Sequence, residues 1–191
     1  MRVGVVSDSH GHLENLGRAL RSLLGFGVEV LCHLGDDYDD LGAVEIPEGL
    51  EVVRVPGVFS PYYKDPSIKN RVLREFGRWR VVVSHTLGRH ENDLPGDPDP
   101  MQLVKDQEVD VVLYGHTHVP EVRVEGRVLL FNPGHLKDED KKGYPPTYGL
   151  LEFFPGEVWG RVFELYAGGL LMEGRLRRWD LKERSSNSAM T

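Results

Sequence analysis

The chain has 191 residues, of which 40% are hydrophobic and 28% are charged, and its formal net charge is −7. This length suits one domain with a sizeable core, and the acidic balance argues against duplex nucleic acid as a partner, because such binders need a basic face. A single cysteine, Cys32, excludes an internal disulfide; no apolar run has the length of a membrane span or signal peptide, so we expect a cytoplasmic protein without membrane partners.

The first half of the chain alternates apolar runs with helical patterns. Apolar runs typical of buried strands occupy 2–7, 28–35, 50–57, 79–85 and 110–116. Apolar residues recur at helical spacing over 13–24 and 68–76, and a short helix is predicted near 99–108. Strands that alternate with helices are typical of parallel sheets joined by crossovers.

The second half of the chain has a different pattern. Two apolar runs around a Glu-Gly turn predict a hairpin over 121–134, and further strands are predicted over 147–154, 157–166 and 170–181. The sequence therefore predicts an α/β fold with a parallel-rich first half and an antiparallel second half. We expect a single domain over 1–181 and a polar, flexible tail over 182–191.

Carboxylates and imidazoles follow four of the five strands predicted in the first half. They are Asp8, His10 and His12; Asp36 and Asp37; His85; and His116 and His118. Because sites in open α/β sheets form at the carboxyl ends of the strands, we expect these side chains to meet. Asp and His together suit borderline divalent metals such as Mn, Fe, Co, Ni or Zn, and one carboxylate can bridge two ions about 3.5–4 Å apart.

Five motifs together resemble the calcineurin-like metallophosphoesterases, in particular their small single-domain bacterial and archaeal phosphodiesterases. They are "DSHGH" at 8–12, "LGDD" at 34–37, "SH" at 84–85, "GHTH" at 115–118 and "NPG" at 132–134. The resemblance extends to about residue 154. It implies two β-sheets packed as a sandwich with helices outside, and a hydrolase that acts on a small soluble phosphate ester. In that family a metal-bound hydroxide attacks phosphorus.

The resemblance also implies a set of ligands for two divalent ions, Mn first, with Ni, Fe, Co or Zn as alternatives. Carried over by position, Asp8, His10 and His118 hold the first ion, Asp36 bridges both ions, and His85 and His116 hold the second. The two histidines of "GHTH" would thus serve different ions.

One family position is not matched. Where the family has Asn followed by His or Cys after its third strand, this chain has Val58 and Phe59. Neither side chain can ligate a metal or move a proton. The second ion is therefore expected to bind more weakly, and activity is expected to be reduced.

Other residues could compensate for the missing ligand and acid. His135 in "NPGHLK" is a candidate acid, with a solvated loop histidine as the alternative, and Lys137 is a candidate anion contact. His90 lies in a segment with the composition of an exposed loop, which makes it a weaker candidate. The acidic run 37–40 is either a solvated loop or the source of a replacement ligand.

Two functions remain open at this point. The first is a metal-dependent phosphoesterase, and more specifically a phosphodiesterase, acting on a small soluble phosphate ester, with a homo-oligomer as one option for its assembly. The second is a binding or scaffold protein that keeps the fold without turnover, for which the retromer subunit of this fold is a precedent by resemblance. A metallo-β-lactamase-type hydrolase is disfavoured, because an Asp-His pair does not follow the His-x-His motif in "HTHVPEV".

Overall fold

The computed structural model describes residues 1–178. Within them lie eleven strands: β1 (Arg2–Val6), β2 (Val30–His33), β3 (Glu51–Arg54), β4 (Arg71–Phe76), β5 (Trp79–Ser84), β6 (Val111–Leu113), β7 (Glu121–Glu125), β8 (Val128–Asn132), β9 (Thr147–Phe153), β10 (Glu157–Glu164) and β11 (Leu170–Arg177). The helices are α1 (Leu13–Gly25), α2 (Pro100–Lys105) and two short 3₁₀ helices, Asp40–Ala43 and Pro61–Lys64. The tail predicted over 182–191, and the end of the strand predicted to reach residue 181, lie outside the described residues.

The strands form two mixed sheets. The first has the order β11-β10-β9-β1-β2-β3, and the second has the order β4-β5-β6-β8-β7. Parallel pairing joins β1, β2 and β3 in the first sheet and β5, β6 and β8 in the second. The antiparallel end of the chain, β9 to β11, extends the first sheet beyond β1. The predicted combination of parallel and antiparallel parts is confirmed. Strand β8 belongs to both, because it pairs parallel with β6 and antiparallel with β7.

The main core lies between the two sheets. Val5 and Cys32 from the first sheet and Phe131 from the second belong to one buried cluster. Phe131 comes so close to the first sheet that a Cβ on Gly149 would lie 2.5 Å from two of its ring carbons. Glycine at this position of β9 therefore lets the aromatic ring fill the space between the sheets.

The helices cover the outer faces of the sandwich. On the first sheet, α1 buries Leu16, Leu20 and Leu23 in a cluster with residues of β1, β2 and β9. On the second sheet, Leu103 of α2 packs against a cluster of β5, β6 and β8 residues. Among the described residues, no helix is long and apolar enough to cross a bilayer.

The helix predicted over 68–76 is wrong, because residues Arg71–Phe76 form β4. This strand pairs antiparallel with β5 through a two-residue connection that includes Gly77, whose φ is +65°. A spacing of four residues, as between Val72 and Phe76, fits one helical turn but also two periods of a strand. The side chains of Val72 and Phe76 face the intersheet core, whereas Leu73 is 54% exposed, which is the alternation of a strand. The pairing with β5 decides between the two patterns.

Candidate metal centre

The loops after β1 and β2 of one sheet meet the loops after β5 and β6 of the other. Gly115 N donates to the carbonyl of His85 at 3.0 Å, and His116 N donates to Asp8 Oδ2 at 2.9 Å, which joins the two sheets. Glycine is needed at position 115, because a Cβ there would lie 2.0 Å from Ser7 Oγ and 2.7 Å from Asp8 Oδ2. The strand ends are thus brought into direct contact.

Backbone strain is concentrated at these strand ends. Six non-glycine residues among residues 1–178 have positive φ, and five of them are predicted ligands: Asp8 (52°), His10 (46°), Asp36 (78°), His116 (67°) and His118 (60°). A left-handed backbone costs an L-residue ~1–2 kcal/mol. Such strain persists where the surrounding fold enforces it, and it clusters at functional sites.

The first group of candidate ligands contains Asp8, His10 and His118, which offer ligand atoms within 4.8 Å of one another. The Nε2 atoms of His10 and His118 are 2.9 Å apart. His10 Nδ1 contacts Asp36 Oδ2 at 2.7 Å, and His118 Nδ1 contacts Asp140 Oδ2 at 2.6 Å. A neutral ring that donates from Nδ1 carries a lone pair on Nε2, so two lone pairs face each other, an arrangement that a shared cation stabilises.

The second group contains Asp8, Asp36 and His85, also within 4.8 Å of one another. His85 Nδ1 lies 2.7 Å from the carbonyl of Leu34, to which it donates, so its Nε2 carries the lone pair. That Nε2 lies 3.2 Å from Nδ1 of His116. Asp8 belongs to both groups, and Asp36 belongs to the second while contacting His10 of the first. Which carboxylate bridges two ions stays a prediction.

The separations between ring nitrogens fit metal coordination. Two nitrogens that each lie about 2.1 Å from one ion, at a right angle, are about 3.0 Å apart. The observed values are 2.9 Å for His10 and His118 and 3.2 Å for His85 and His116. The residues present therefore fit divalent ions on both sides of the site.

The electrostatics of the site favour a charged carboxylate beside imidazoles. Burial raises the pKa of Asp8, but the neighbouring His118 and His85 outweigh burial and hold the pKa below its ordinary value. The same contact with Asp8 raises the pKa of His118 against burial, with help from Asp140. Burial and the neighbouring His85 lower the pKa of His116, which keeps this ring neutral and able to bind a cation.

Asp140 is a candidate functional residue that the sequence did not indicate. Its side chain is only 5% exposed, and besides His118 it accepts hydrogen bonds from Lys137 Nζ at 3.1 Å and the Lys142 backbone at 2.9 Å. Burial raises its pKa, but these partners, His118 first, hold the pKa far below the ordinary value. A carboxylate on the distal nitrogen orients a ligating histidine. The segment "KDEDKK" has the composition of a solvated loop, so only its place near "NPG" could have suggested this role.

His135 and Lys137 lie close to the first group but are already engaged. His135 is fully buried, its Nδ1 accepts from Lys137 N at 3.1 Å, and its Nε2 lies 3.2 Å from the carbonyl of Tyr144. Burial lowers the pKa of this ring. Both nitrogens are thus used by the backbone, which gives His135 a structural role in this arrangement, and the ammonium of Lys137 is paired with Asp140.

The turn after β3 lacks ligating side chains, as its sequence indicates. Val58 is 2% exposed and Phe59 is 74% exposed. Two polar residues from another loop lie beside this turn: Asn92 Nδ2 donates to the Val58 carbonyl at 3.0 Å, and the ring of His90 lies 6.1 Å from that of His116. The side of the site that contains His85 and His116 is therefore flanked by His90, a residue whose surrounding sequence has the composition of an exposed loop.

The acidic side chains of residues 37–40, which follow β2, lie in different surroundings. Asp40 is buried, accepts a hydrogen bond from the Ser9 hydroxyl and lies 3.1 Å from His33 Nε2. Asp39 accepts a hydrogen bond from Tyr62, and Asp37 is exposed. Through Ser9, Asp40 supports the loop after β1, which carries the candidate ligands Asp8 and His10. A replacement ligand from this run stays a prediction.

Comparison with known proteins identifies the family. The sequence model of the calcineurin-like phosphoesterase superfamily domain matches residues 1–154. The chain therefore belongs to the calcineurin-like phosphoesterase superfamily, and its two mixed sheets with flanking helices are the fold of that family.

Two curated relatives are small phosphodiesterases. The chain is 27% identical over 168 residues to phosphodiesterase MJ0936 of Methanocaldococcus jannaschii, covering 80% of this chain and 93% of the relative. It is 28% identical over 165 residues to phosphodiesterase YfcE of Escherichia coli, covering 80% and 88%. The solved structure of Vps29 from Chaetomium thermophilum shares the fold at 15% identity, with a TM-score of 0.65 over 92% of this chain and 98% of that one.

Proposed function

We propose that this protein is a metal-dependent phosphodiesterase that hydrolyses a small soluble phosphate diester with two divalent ions, Mn first among the candidates. The observation that carries the proposal is the pair of short nitrogen–nitrogen separations, 2.9 Å between His10 and His118 and 3.2 Å between His85 and His116. A cation between them accounts for imidazoles placed in this way. The phosphodiesterase names of the two relatives, at comparable length, support the same reaction class.

The chain's own residues hold and orient the ions. Asp8, His10 and His118 form the first set, and Asp36, His85 and His116 form the second, with Asp36 proposed as the bridge. Asp140 and the Leu34 carbonyl fix the rings of His118 and His85 from behind. Bound there, the ions would supply Lewis-acid charge to a phosphate oxygen and lower the pKa of a water molecule.

The two halves of the site are expected to differ in affinity. The second half has Val58 where the family has an asparagine ligand, and its buried isopropyl group gives no oxygen or nitrogen. One ion should therefore remain through purification, and the second should need an excess of metal. The acidic chain is expected to exclude duplex nucleic acid from the substrates.

Metal titration combined with an assay tests this proposal. Metal-stripped protein is titrated with Mn, Ni, Co, Zn and Mg in a calorimeter, and each loaded form is assayed on a phosphodiester and a phosphomonoester. We expect two unequal sites and a preference for the diester. His118→Ala and His116→Ala should each lose a different ion; loss of the same ion from both would refute the assignment of the pair, and a protein that binds no metal would refute the function.

A scaffold or binding protein is the second candidate, because Phe59 is 74% exposed beside the site. An exposed aromatic ring at this position suits a protein contact better than hydrolysis. The likeness to Vps29 concerns the fold alone and fits this candidate no better than the first. Protein that binds both ions with ordinary affinity but hydrolyses neither ester would favour it.

A further inference from the structure

Three histidines share a hydrogen-bonding pattern that differs from that of the candidate ligands. In His33, His90 and His135 the Nδ1 atom accepts an N–H from the backbone two residues later, at 3.3, 3.1 and 3.1 Å. A ring nitrogen that accepts an N–H carries no proton, so the proton of the neutral ring is on Nε2. These rings are therefore donors at Nε2, whereas His10, His85 and His118 present a lone pair there.

In two of the three rings the Nε2 donor has an acceptor within the protein. His33 Nε2 lies 3.2 Å from Asp40 Oδ2, and His135 Nε2 lies 3.2 Å from the carbonyl of Tyr144. His90 Nε2 has no hydrogen-bond partner among residues 1–178. Its donor is free for a ligand.

The His90 ring lies beside the second half of the metal centre. Its centroid is 6.1 Å from that of His116, at an interplanar angle of 75°, and 5.7 Å from that of Phe59, at 88°. Phe59 occupies the position at which the resemblance implies a histidine or cysteine. His90 thus brings an imidazole from a different loop to the side of the site where one is missing.

The loop that carries His90 is held in place. Asp93 accepts the His90 N–H at 3.0 Å and also binds the buried Arg71 at 3.0 Å and the Tyr63 hydroxyl at 2.6 Å. The Asn92 amide ties the same loop to the turn after β3. The position of the ring is therefore fixed before any ligand binds, as a donor that stabilises charge requires.

We propose that His90 donates a hydrogen bond from Nε2 to a non-bridging oxygen of the substrate phosphate. This role rests on the proposed phosphodiesterase function. No proton is transferred, because a neutral imidazole whose Nδ1 accepts an N–H keeps its Nε2 proton and acts as a stabilising dipole. His90 is distinct from the metal ligands for the same reason, since its Nε2 offers a hydrogen rather than a lone pair.

Two variants separate the hydrogen bond from the shape of the ring. His90→Phe keeps the ring and removes the donor, and His90→Gln places an amide N–H near the position of Nε2. In Mn-loaded protein we expect His90→Phe to weaken calorimetric binding of inorganic phosphate about 10- to 100-fold, the range for a hydrogen bond to a charged group. His90→Gln should recover part of that loss, and Mn titration should give the same stoichiometry for all three proteins.

Turnover gives a second readout. Because the donor acts on a non-bridging oxygen, His90→Phe should lower kcat/KM by a similar factor for diesters with good and with poor leaving groups. A loss confined to poor leaving groups, loss of one Mn ion, or unchanged phosphate affinity would each overturn the role of His90. Wild-type protein that neither binds Mn nor hydrolyses a diester would overturn the proposed function itself.

Discussion

Replacing Asp140 by asparagine tests the structural basis of the first metal site. The carboxylate lies 2.6 Å from His118 Nδ1 and is only 5% exposed, so water cannot readily take its place. Loss of a carboxylate behind a ligating histidine typically lowers metal affinity 10- to 100-fold, which is about 1.4–2.8 kcal/mol. We expect the upper half of this range, because the same carboxylate also accepts from Lys137 at 3.1 Å, and that ammonium would lose its anionic partner.

The assay is calorimetric titration of metal-stripped Asp140→Asn with Mn, compared with wild type. Only the tighter of the two sites should change, because Asp140 contacts His118 and not His85. Glu139→Gln is the matched control, since it removes one negative charge from the neighbouring exposed position. Equal losses in both variants would mean that net charge, not the hydrogen bond to His118, sets the affinity, and unchanged binding in Asp140→Asn would refute the reasoning.

Three further changes test other parts of the molecule. Asp36→Ala should abolish both calorimetric Mn binding and hydrolysis if this carboxylate bridges two ions; a variant that still binds two ions would show that it does not. Val58→Asn should tighten the weaker site in the same titration, and two equal sites before and after the change would point to a ligand elsewhere. Gly149→Ala should lower the unfolding free energy by about 1–3 kcal/mol in thermal or urea unfolding, because its Cβ would meet Phe131 at 2.5 Å; Gly156→Ala, where a Cβ meets nothing within 4 Å, should cost far less.

Local patterns were sufficient for the elements whose contacts are close in sequence. The spacing of Leu16, Leu20 and Leu23 predicts α1, and the apolar runs predict the parallel strands, because one buried face is enough to define each element. The strand Arg71–Phe76 was wrongly predicted to be helical, because the spacing of Val72 and Phe76 fits both a helix and a strand. Its pairing with β5 is a contact with another segment, which periodicity does not record.

The candidate site divides in the same way. Asp8, Asp36, His85, His116 and His118 could be chosen from the sequence because each follows an apolar strand, and parallel strands bring their carboxyl ends to one edge. The structure places these residues together as expected, although the assignment of each to an ion stays a prediction. The sequence also showed that the turn after β3 has no ligand.

Tertiary structure alone decided which residues support that site. Asp140 lies in a segment with the composition of a solvated loop, and only the fold of the chain after β8 brings its carboxylate 2.6 Å from His118. The His90 ring lies beside that of His116 because Asp93 and Asn92 hold its loop against the turn after β3, and its Nε2 has no hydrogen-bond partner within residues 1–178. Sequence determines which residues follow each strand, whereas hydrogen bonds between distant loops determine which way a ring turns and which of its nitrogens carries the proton.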